Sequence, residues 1–363
     1  MCYYDRLYDR ISAKTEKPLA PSDKPIQNFS TSEDPILQKV IDLSHIMYQM
    51  IKHTTKPTVY ATDSILVALM SATRSIYSWD MIITKQGNTI VLDKREGTIF
   101  DYISVNENAI EPPTEDKESF NSNIALSMEA THVNRSFAQQ VIKESEKLEF
   151  QNPSPFSAAS PTSSKAYRYR KWELGENLSL VLRTHMDAAI QQSNGAEITK
   201  LSTSAYPASE TQFITVNTLL EYDSRLSNTP DWRQKLDSMK GAVLAAEFKN
   251  NGVKLLKWTL ESLLSGVDQM RVGFVSRTSP KDRKKHGIIG TGIYKPYDFL
   301  SQMNFDVGSG WGIVKTIADL CMNQLDDGKY ILLKDANKPV MRLYSVPLDT
   351  FDGSVQEETA IVS

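Results

Sequence analysis

The sequence predicts an α+β domain, and three observations carry that prediction. Strand-like segments recur without regular βαβ alternation, which argues against a doubly wound sheet. Two acidic pairs sit in apolar, strand-like runs. Glu221-Tyr222-Asp223 follows Phe213-Ile214-Thr215-Val216, and Glu247-Phe248-Lys249 follows Ala242-Val243-Leu244-Ala245-Ala246. An apolar-periodic helix comes next, opening with Lys254-Leu255-Leu256-Lys257-Trp258 and closing near Gly266-Val267.

The elements follow in chain order. Residues 1–30 are mixed and Pro-punctuated, which suits an extended surface segment. Asp34-Pro35 reads as a helix N-cap and first turn, with Ile36, Leu37, Val40 and Ile41 at helical spacing behind it. A second helix is expected from Thr62 or Asp63 to Tyr77. Met81–Thr84 and Thr89–Leu92 flank Lys85-Gln86-Gly87-Asn88, a hairpin signal. A polar stretch over 111–123 precedes a helix expected from about Ala125 to Lys147. Residues 151–164 have the composition of a flexible loop. Ala166–Glu173 and Leu178–Ile190 read as strands, and 191–209 as a polar excursion. After the helix from Gly252 to Leu264, strands are expected at Met270–Ser276 and Ile288–Ile293. A helix over Trp311–Leu325 and a hairpin from Tyr330–Leu333 to Val340–Tyr344 complete the chain, with 348–363 as a tail.

Composition excludes several classes. An apolar fraction of 40% over 363 residues supports a sizeable core. A net charge of −3 excludes a uniformly basic nucleic-acid coat, though not a local groove. Cys2 and Cys321 are too few for a disulfide framework, so a reducing, cytoplasmic setting is expected. The five histidines show no metal-ligand spacing. The longest apolar stretches, such as Ile65 to Ala72, fall far short of a membrane span, and Met1-Cys2-Tyr3-Tyr4-Asp5 opens no cleavable signal.

Residues i and i+2 of a strand share a face. Glu221 with Asp223, and Glu247 with Lys249, would then put three carboxylates and an ammonium on one surface. That arrangement suits a divalent metal held against phosphate. A structural salt-bridge network accounts for the same residues. Tyr167-Arg168-Tyr169-Arg170-Lys171-Trp172 interleaves basic and aromatic side chains. It fits an RNA backbone track through Arg168 and Arg170, and equally an ordinary strand with a solvated basic side. Lys281 to His286 is a basic loop, by default a solvated one.

Several blocks are familiar together. Thr73-Arg74-Ser75-Ile76-Tyr77-Ser78-Trp79-Asp80, Ala166 to Trp172, Asp231-Trp232-Arg233 through Asn251, and Trp311-Gly312-Ile313 stand in the order seen in the d subunits of eukaryotic translation initiation factor three. The chain resembles that family from about Tyr3 to Pro347, diverging near 191–209. The resemblance covers the family's cap-binding domain, here 31–347; the family's N-terminal region and long acidic tail are not in this chain. It implies a cup-shaped domain of mixed and antiparallel sheets flanked by helices, similar to the DXO and Rai decapping enzymes. Those enzymes carry Glu-x-Asp, Glu-x-Lys and Lys-Leu-Leu-Lys-Trp, matched here by Glu221/Asp223, Glu247/Lys249 and Lys254 to Trp258. Their carboxylates bind divalent metal and their Lys meets the scissile phosphate, so Lys249 joins the RNA-backbone candidates. Two departures stand out. The enzymes have Gln where this chain has Glu261, and their upstream Gly-Tyr-Lys-Phe-Glu ligand is missing, with only Asp93 near that place.

The resemblance assigns cap binding to two helices, through Asp63, Ile76 and Tyr77 on one and Thr131, Asn134 and Arg135 on the other. Asp63 suits a cationic base, Tyr77 a stack or hydrogen bond, and Arg135 a phosphate. Taken alone, Asp63 is also an ordinary first-turn acid and Tyr77 a packing aromatic. The acidic stretch Glu111, Glu115, Asp116 and Glu118 falls where the family inserts a gate over its RNA channel. The reading is a non-enzymatic cap-binding subunit whose partners are capped mRNA, the other factor subunits and the small ribosomal subunit, with no membrane. No cofactor is expected, Mg²⁺ at the carboxylate cluster apart. A metal-dependent decapping 5′-exonuclease and a purely architectural subunit are the alternatives.

Overall fold

A computed structural model describes residues 1–24, 28–50, 56–152, 154–156, 164–191, 211–227, 229–336, 338 and 340–351. The expected loop at 151–164 and the excursion at 191–209 fall mainly outside them, as does most of the tail. The elements run β1 (Cys2–Tyr4), two 3-10 turns (Arg6–Arg10, Ala13–Thr15), β2 (Lys17–Pro18), α1 (Pro35–Met50), β3 (Thr58–Thr62), α2 (Asp63–Met70), β4 (Trp79–Gln86) and β5 (Thr89–Asp93). Then come α3 (Asn123–Gln140), β6 (Ile142–Lys147), β7 (Ala166–Glu173), β8 (Ser179–Met186), β9 (Ala188–Gln191) and β10 (Thr211–Glu221). The remainder is α4 (Trp232–Lys235), α5 (Lys240–Asn250), α6 (Gly252–Ser265), β11 (Gln269–Arg277), β12 (His286–Tyr294), α7 (Pro296–Ser301), α8 (Val307–Gln324), β13 (Gly328–Lys334) and β14 (Met341–Val346).

The strands form two mixed sheets, ordered β2-β12-β11-β10-β9-β1-β6 and β14-β13-β4-β5-β3-β8-β7. The α+β expectation holds. Most neighbours are antiparallel, while β10–β11, β1–β9, β3–β5 and β3–β8 are parallel. Helix α6 packs on α2 and on strands of both sheets, β8 on one side and β10 and β11 on the other. Its buried Leu255, Leu256 and Leu260 join one core with Leu180 and Leu182 of β8 and Val272 and Phe274 of β11. A second core forms where α3 lies on β10, through Leu126, Val133 and Phe137 against Ile214, Val216 and Val275. Gly273 of β11 makes this packing feasible, because a Cβ there would lie 2.5 Å from the Phe137 ring.

Local chemistry accounts for the ends of the key elements. Asp34 caps α1, its Oδ1 accepting from Ile36 N (2.8 Å) and Leu37 N (3.1 Å). The same buried carboxylate takes Tyr169 Oη and pairs with Arg183. Gly87, at φ +57°, turns the β4–β5 hairpin. Gly266, at φ +66°, ends α6 in the left-handed conformation that glycine adopts without strain.

Four expectations are corrected. The run at 242–246 is helical, within α5, so Glu247 and Lys249 are not strand neighbours on one face: Glu247 is buried and Lys249 exposed. Helix α2 stops at Met70, leaving Ile76 and Tyr77 on the loop into β4. Helix α3 stops at Gln140, and the charged stretch after it is β6, paired with β1. The strand expected over 178–190 is two strands interrupted at Asp187, whose N–H donates to Ile214 O and whose carboxylate accepts Val216 N–H.

Candidate functional site

A cleft of two joined chambers lies beside α6. The larger has a volume of about 790 Å³ and the smaller about 190 Å³. They share Ser64, Phe100, Tyr102, Ile103, Trp258 and Glu261 as walls. On α6, Lys254, Lys257, Trp258 and Glu261 stand at i, i+3, i+4 and i+7, so one helical face runs along the cleft. Its ammonium groups front the larger chamber, and its carboxylate sits at the junction with the smaller one.

The six residues assigned to cap binding all border this cleft. Ile76 and Tyr77 line the larger chamber, and Asp63, Thr131, Asn134 and Arg135 the smaller. Their side chains are engaged to different degrees. Asp63 is committed to His185, accepting its backbone N–H (2.9 Å) and its ring Nδ1–H (2.7 Å). Burial alone would lower the His185 pKa, but the Asp63 carboxylate raises it to about 9. Thr131 Oγ1 donates to Ser127 O and accepts Ile103 N–H, so it braces the wall. Ile76 presents its N–H to Glu107, which also takes the Ser75 hydroxyl.

The rest keep unpaired polar atoms, although Arg135 also meets the His132 ring through Nη2 (2.9 Å). In the smaller chamber Asn134 Oδ1, Arg135 Nε, Gln139 Oε1 and Tyr167 Oη are buried with no hydrogen-bond partner among the described residues. In the larger chamber the same holds for Tyr77 Oη and Lys254 Nζ. Buried polar groups are nearly always paired in folded proteins, so a cluster of orphaned ones at a cavity marks a surface that a polar ligand can complete. Lys254 is only 4% exposed, and burial lowers its pKa while Glu247 partly opposes that shift. Burial likewise raises Glu247, against the charge of Lys254.

The carboxylates expected to hold metal are not gathered. Glu221 accepts the N–H of Trp232 (3.0 Å) and so fixes the start of α4. Asp223 turns back to Arg225 N (2.9 Å), and Glu247 accepts from Asn251 Nδ2 (2.7 Å). Among the described residues no three His, Cys, Asp or Glu side chains are placed to share a metal ion. Asp93 is equally committed, accepting the N–H groups of Thr31, Ser32 and Lys94. The residues present therefore do not fit the divalent centre that the acidic pairs imply.

Arg168 and Arg170 do share a face, as strand alternation requires, but that face meets protein. Arg168 donates to Ser265 O (2.6 Å) and Arg170 to Leu264 O (2.6 Å), capping the carbonyl end of α6. Gly266 admits them, since a Cβ there would lie 2.9 Å from Arg170 Nη1. The acidic stretch lies at the cleft, with Pro112, Pro113 and Glu115 on the wall of the larger chamber.

A family model described as eukaryotic translation initiation factor 3 subunit 7 (eIF-3) matches residues 1–345. The chain belongs to this family. The D subunits of eukaryotic translation initiation factor 3 from Nasonia vitripennis and Bombyx mori are 44% and 43% identical to it, over 98% of the chain in each case. The chain spans about 60% of the length of these curated relatives. Among solved structures, Rai1 from Candida albicans in complex with pU5 and Mn²⁺ superposes at a TM-score of 0.52 with 11% identity, over 94% of this chain and 82% of that one. Rai1 from Scheffersomyces stipitis, in complex with (3′-NADP)⁺ and calcium, gives 0.50 and 9%, over 87% and 75%. This member of the subunit 7 family thus shares the fold of the Rai1 proteins.

Sequence reasoning missed His185 and Gln139 as cleft residues, named Tyr167 only as part of the interleaved strand, and named Glu261 only as a departure from the enzymes' Gln. His185 carried no spacing signal, because its partner Asp63 is more than a hundred residues away and the two meet through the parallel pairing of β3 and β8.

Proposed function

We propose that this cleft binds the 7-methylguanosine 5′ cap of mRNA, within translation initiation factor 3, and does not cleave it. The observation that carries this reading is the two-chambered cleft with orphaned polar atoms in the smaller chamber and ammonium groups in the larger. A cap has a flat cationic base, a base edge that donates and accepts hydrogen bonds, and a triphosphate bridge. The smaller chamber offers Asn134, Gln139 and Tyr167 to the base edge. The larger offers Lys254 and Lys257 to the phosphates, and Tyr77 as a further hydrogen-bonding group. The names of the relatives support a place in the initiation factor beside its other subunits; the small ribosomal subunit as a further partner and the cytoplasm as setting belong to the same proposal. The acidic wall at Glu115 supports a gate that slows entry of RNA.

Titration with short RNAs carrying a methylated cap, an unmethylated cap or a bare triphosphate, with and without Mg²⁺, tests the reading. Selective binding of the methylated cap, with RNA recovered intact and affinity lowered roughly tenfold in Asn134→Ala, is expected. Mg²⁺-dependent cleavage abolished by Glu247→Ala would make the chain a decapping enzyme. Equal affinity for all three RNAs would leave an architectural subunit.

A further inference from the structure

Four carboxylates line the smaller chamber: Asp63, Asp101, Asp187 and Glu261. Three are spoken for. Asp63 holds His185. Asp101 accepts from Asn28 Nδ2 and Gly97 N and pairs with Lys94. Asp187 accepts Val216 N–H and has Lys165 Nζ at 3.8 Å. Glu261 alone accepts no hydrogen bond and has no ion-pair partner among the described residues.

Glu261 is half-buried: the cleft strips away much of the hydration of its carboxylate while leaving it open to whatever enters, and an unpaired carboxylate in such a place is costly to the fold. Burial pushes Glu261 up to about 7; His185 on β8, Lys165 ahead of β7 and Lys257 on its own helix pull against this, while Asp63 on α2 adds to it. Asp101, Asp187, Arg135 of α3 and Arg183 of β8 are the other charged groups that line the same chamber. Nothing in the fold uses the Glu261 oxygens, and they lie at the junction where a ligand spanning both chambers would pass. Asp63, the acid first matched to a cationic base, has no such freedom.

We infer that Glu261 is a specificity-determining residue of this cleft, selecting a flat, positively charged N-alkylated purine ring over its neutral counterpart. The inference deepens the cap-binding reading and rests on it. An anionic group at this end repels phosphate and attracts a ring cation or a ring N–H donor. The polarity of the α6 face then fixes ligand direction, with phosphates toward Lys254 and Lys257 and the alkylated base toward Glu261.

The test compares affinities of the full chain at pH 7 for methylated and unmethylated cap dinucleotides and for a neutral 7-methyl-7-deaza analogue of the same shape, in the wild type and in Glu261→Gln. The wild type should prefer the methylated form over both neutral rings by roughly tenfold or more, and that ratio should collapse toward one in Glu261→Gln. A thermal melt establishes that the variant is folded; should it not fold, the wild type's choice between the methylated cap and its neutral isostere decides. A methyl preference that survives Glu261→Gln, or equal wild-type affinity for the neutral isostere, overturns the inference and leaves the cap reading standing. A wild type that prefers neither dinucleotide over a bare triphosphate overturns both.

Discussion

Asp63 shows how one side chain can be placed correctly by sequence and still be given the wrong work. It reaches the cleft, but its oxygens hold His185. That pairing has a measurable signature. The His185 pKa is raised above the ordinary histidine value of about 6.5, so the pair contributes stability that is fully present below that value and lost as pH rises through about 9. Denaturant midpoints of the wild type should therefore fall between pH 7 and pH 9.5 more than those of His185→Gln. In Asp63→Asn burial dominates, and His185 should titrate below 6.5 by NMR. Asp34 makes a sharper case, because it caps α1 and pairs with buried Arg183 at once. Asp34→Ala should cost roughly 3–5 kcal/mol in chemical denaturation, since it strands a buried guanidinium.

Helix α6 was legible as an element because its apolar period, its opening lysines and its closing glycine agree with one another. Its neighbour α5 was not. Ala242 to Ala246 is a short apolar run, for which periodicity cannot separate strand from helix, and alanine's helix propensity was the signal to weigh. Helix α3 was overextended for a different reason. The stretch 142–147 is charged and helix-prone, but pairing with β1 from the far end of the chain overrides local preference. The same long-range effect turned Arg168 and Arg170 from an RNA track into the cap of α6. Replacing both with Ala should lower stability by roughly 1–2 kcal/mol and speed amide exchange in the last turn of α6. The salt dependence of RNA binding should not change; a slope reduced by about two would restore the track. Deleting residues 113–120 should raise affinity for capped RNA if the acidic wall is a gate, and an unchanged affinity would reduce it to a loop.

At the scale of the molecule, the α+β class was readable from the strand pattern and the mixed sheets from the family resemblance, but the order of the strands was in neither. Strand β1 lies between β9 and β6 and holds them in one sheet, a role that three residues at the start of the sequence do not announce. Removing residues 1–4 should strip β6 of exchange protection while β10, β11 and β12 keep theirs. Persistence of β6 protection would mean that it docks without β1.

The walls of the smaller chamber come from both sheets. His185 belongs to β8 in one, Val216 and Asn217 to β10 in the other, and α3 and α6 close the space between them. A molecule lodged there is in effect a rivet. Its free energy of association adds to the cohesion between the two layers it touches. Occupancy should thus be readable without any label, as a melting temperature that climbs with the logarithm of ligand concentration and as slowed hydrogen exchange in β8 and β10 together.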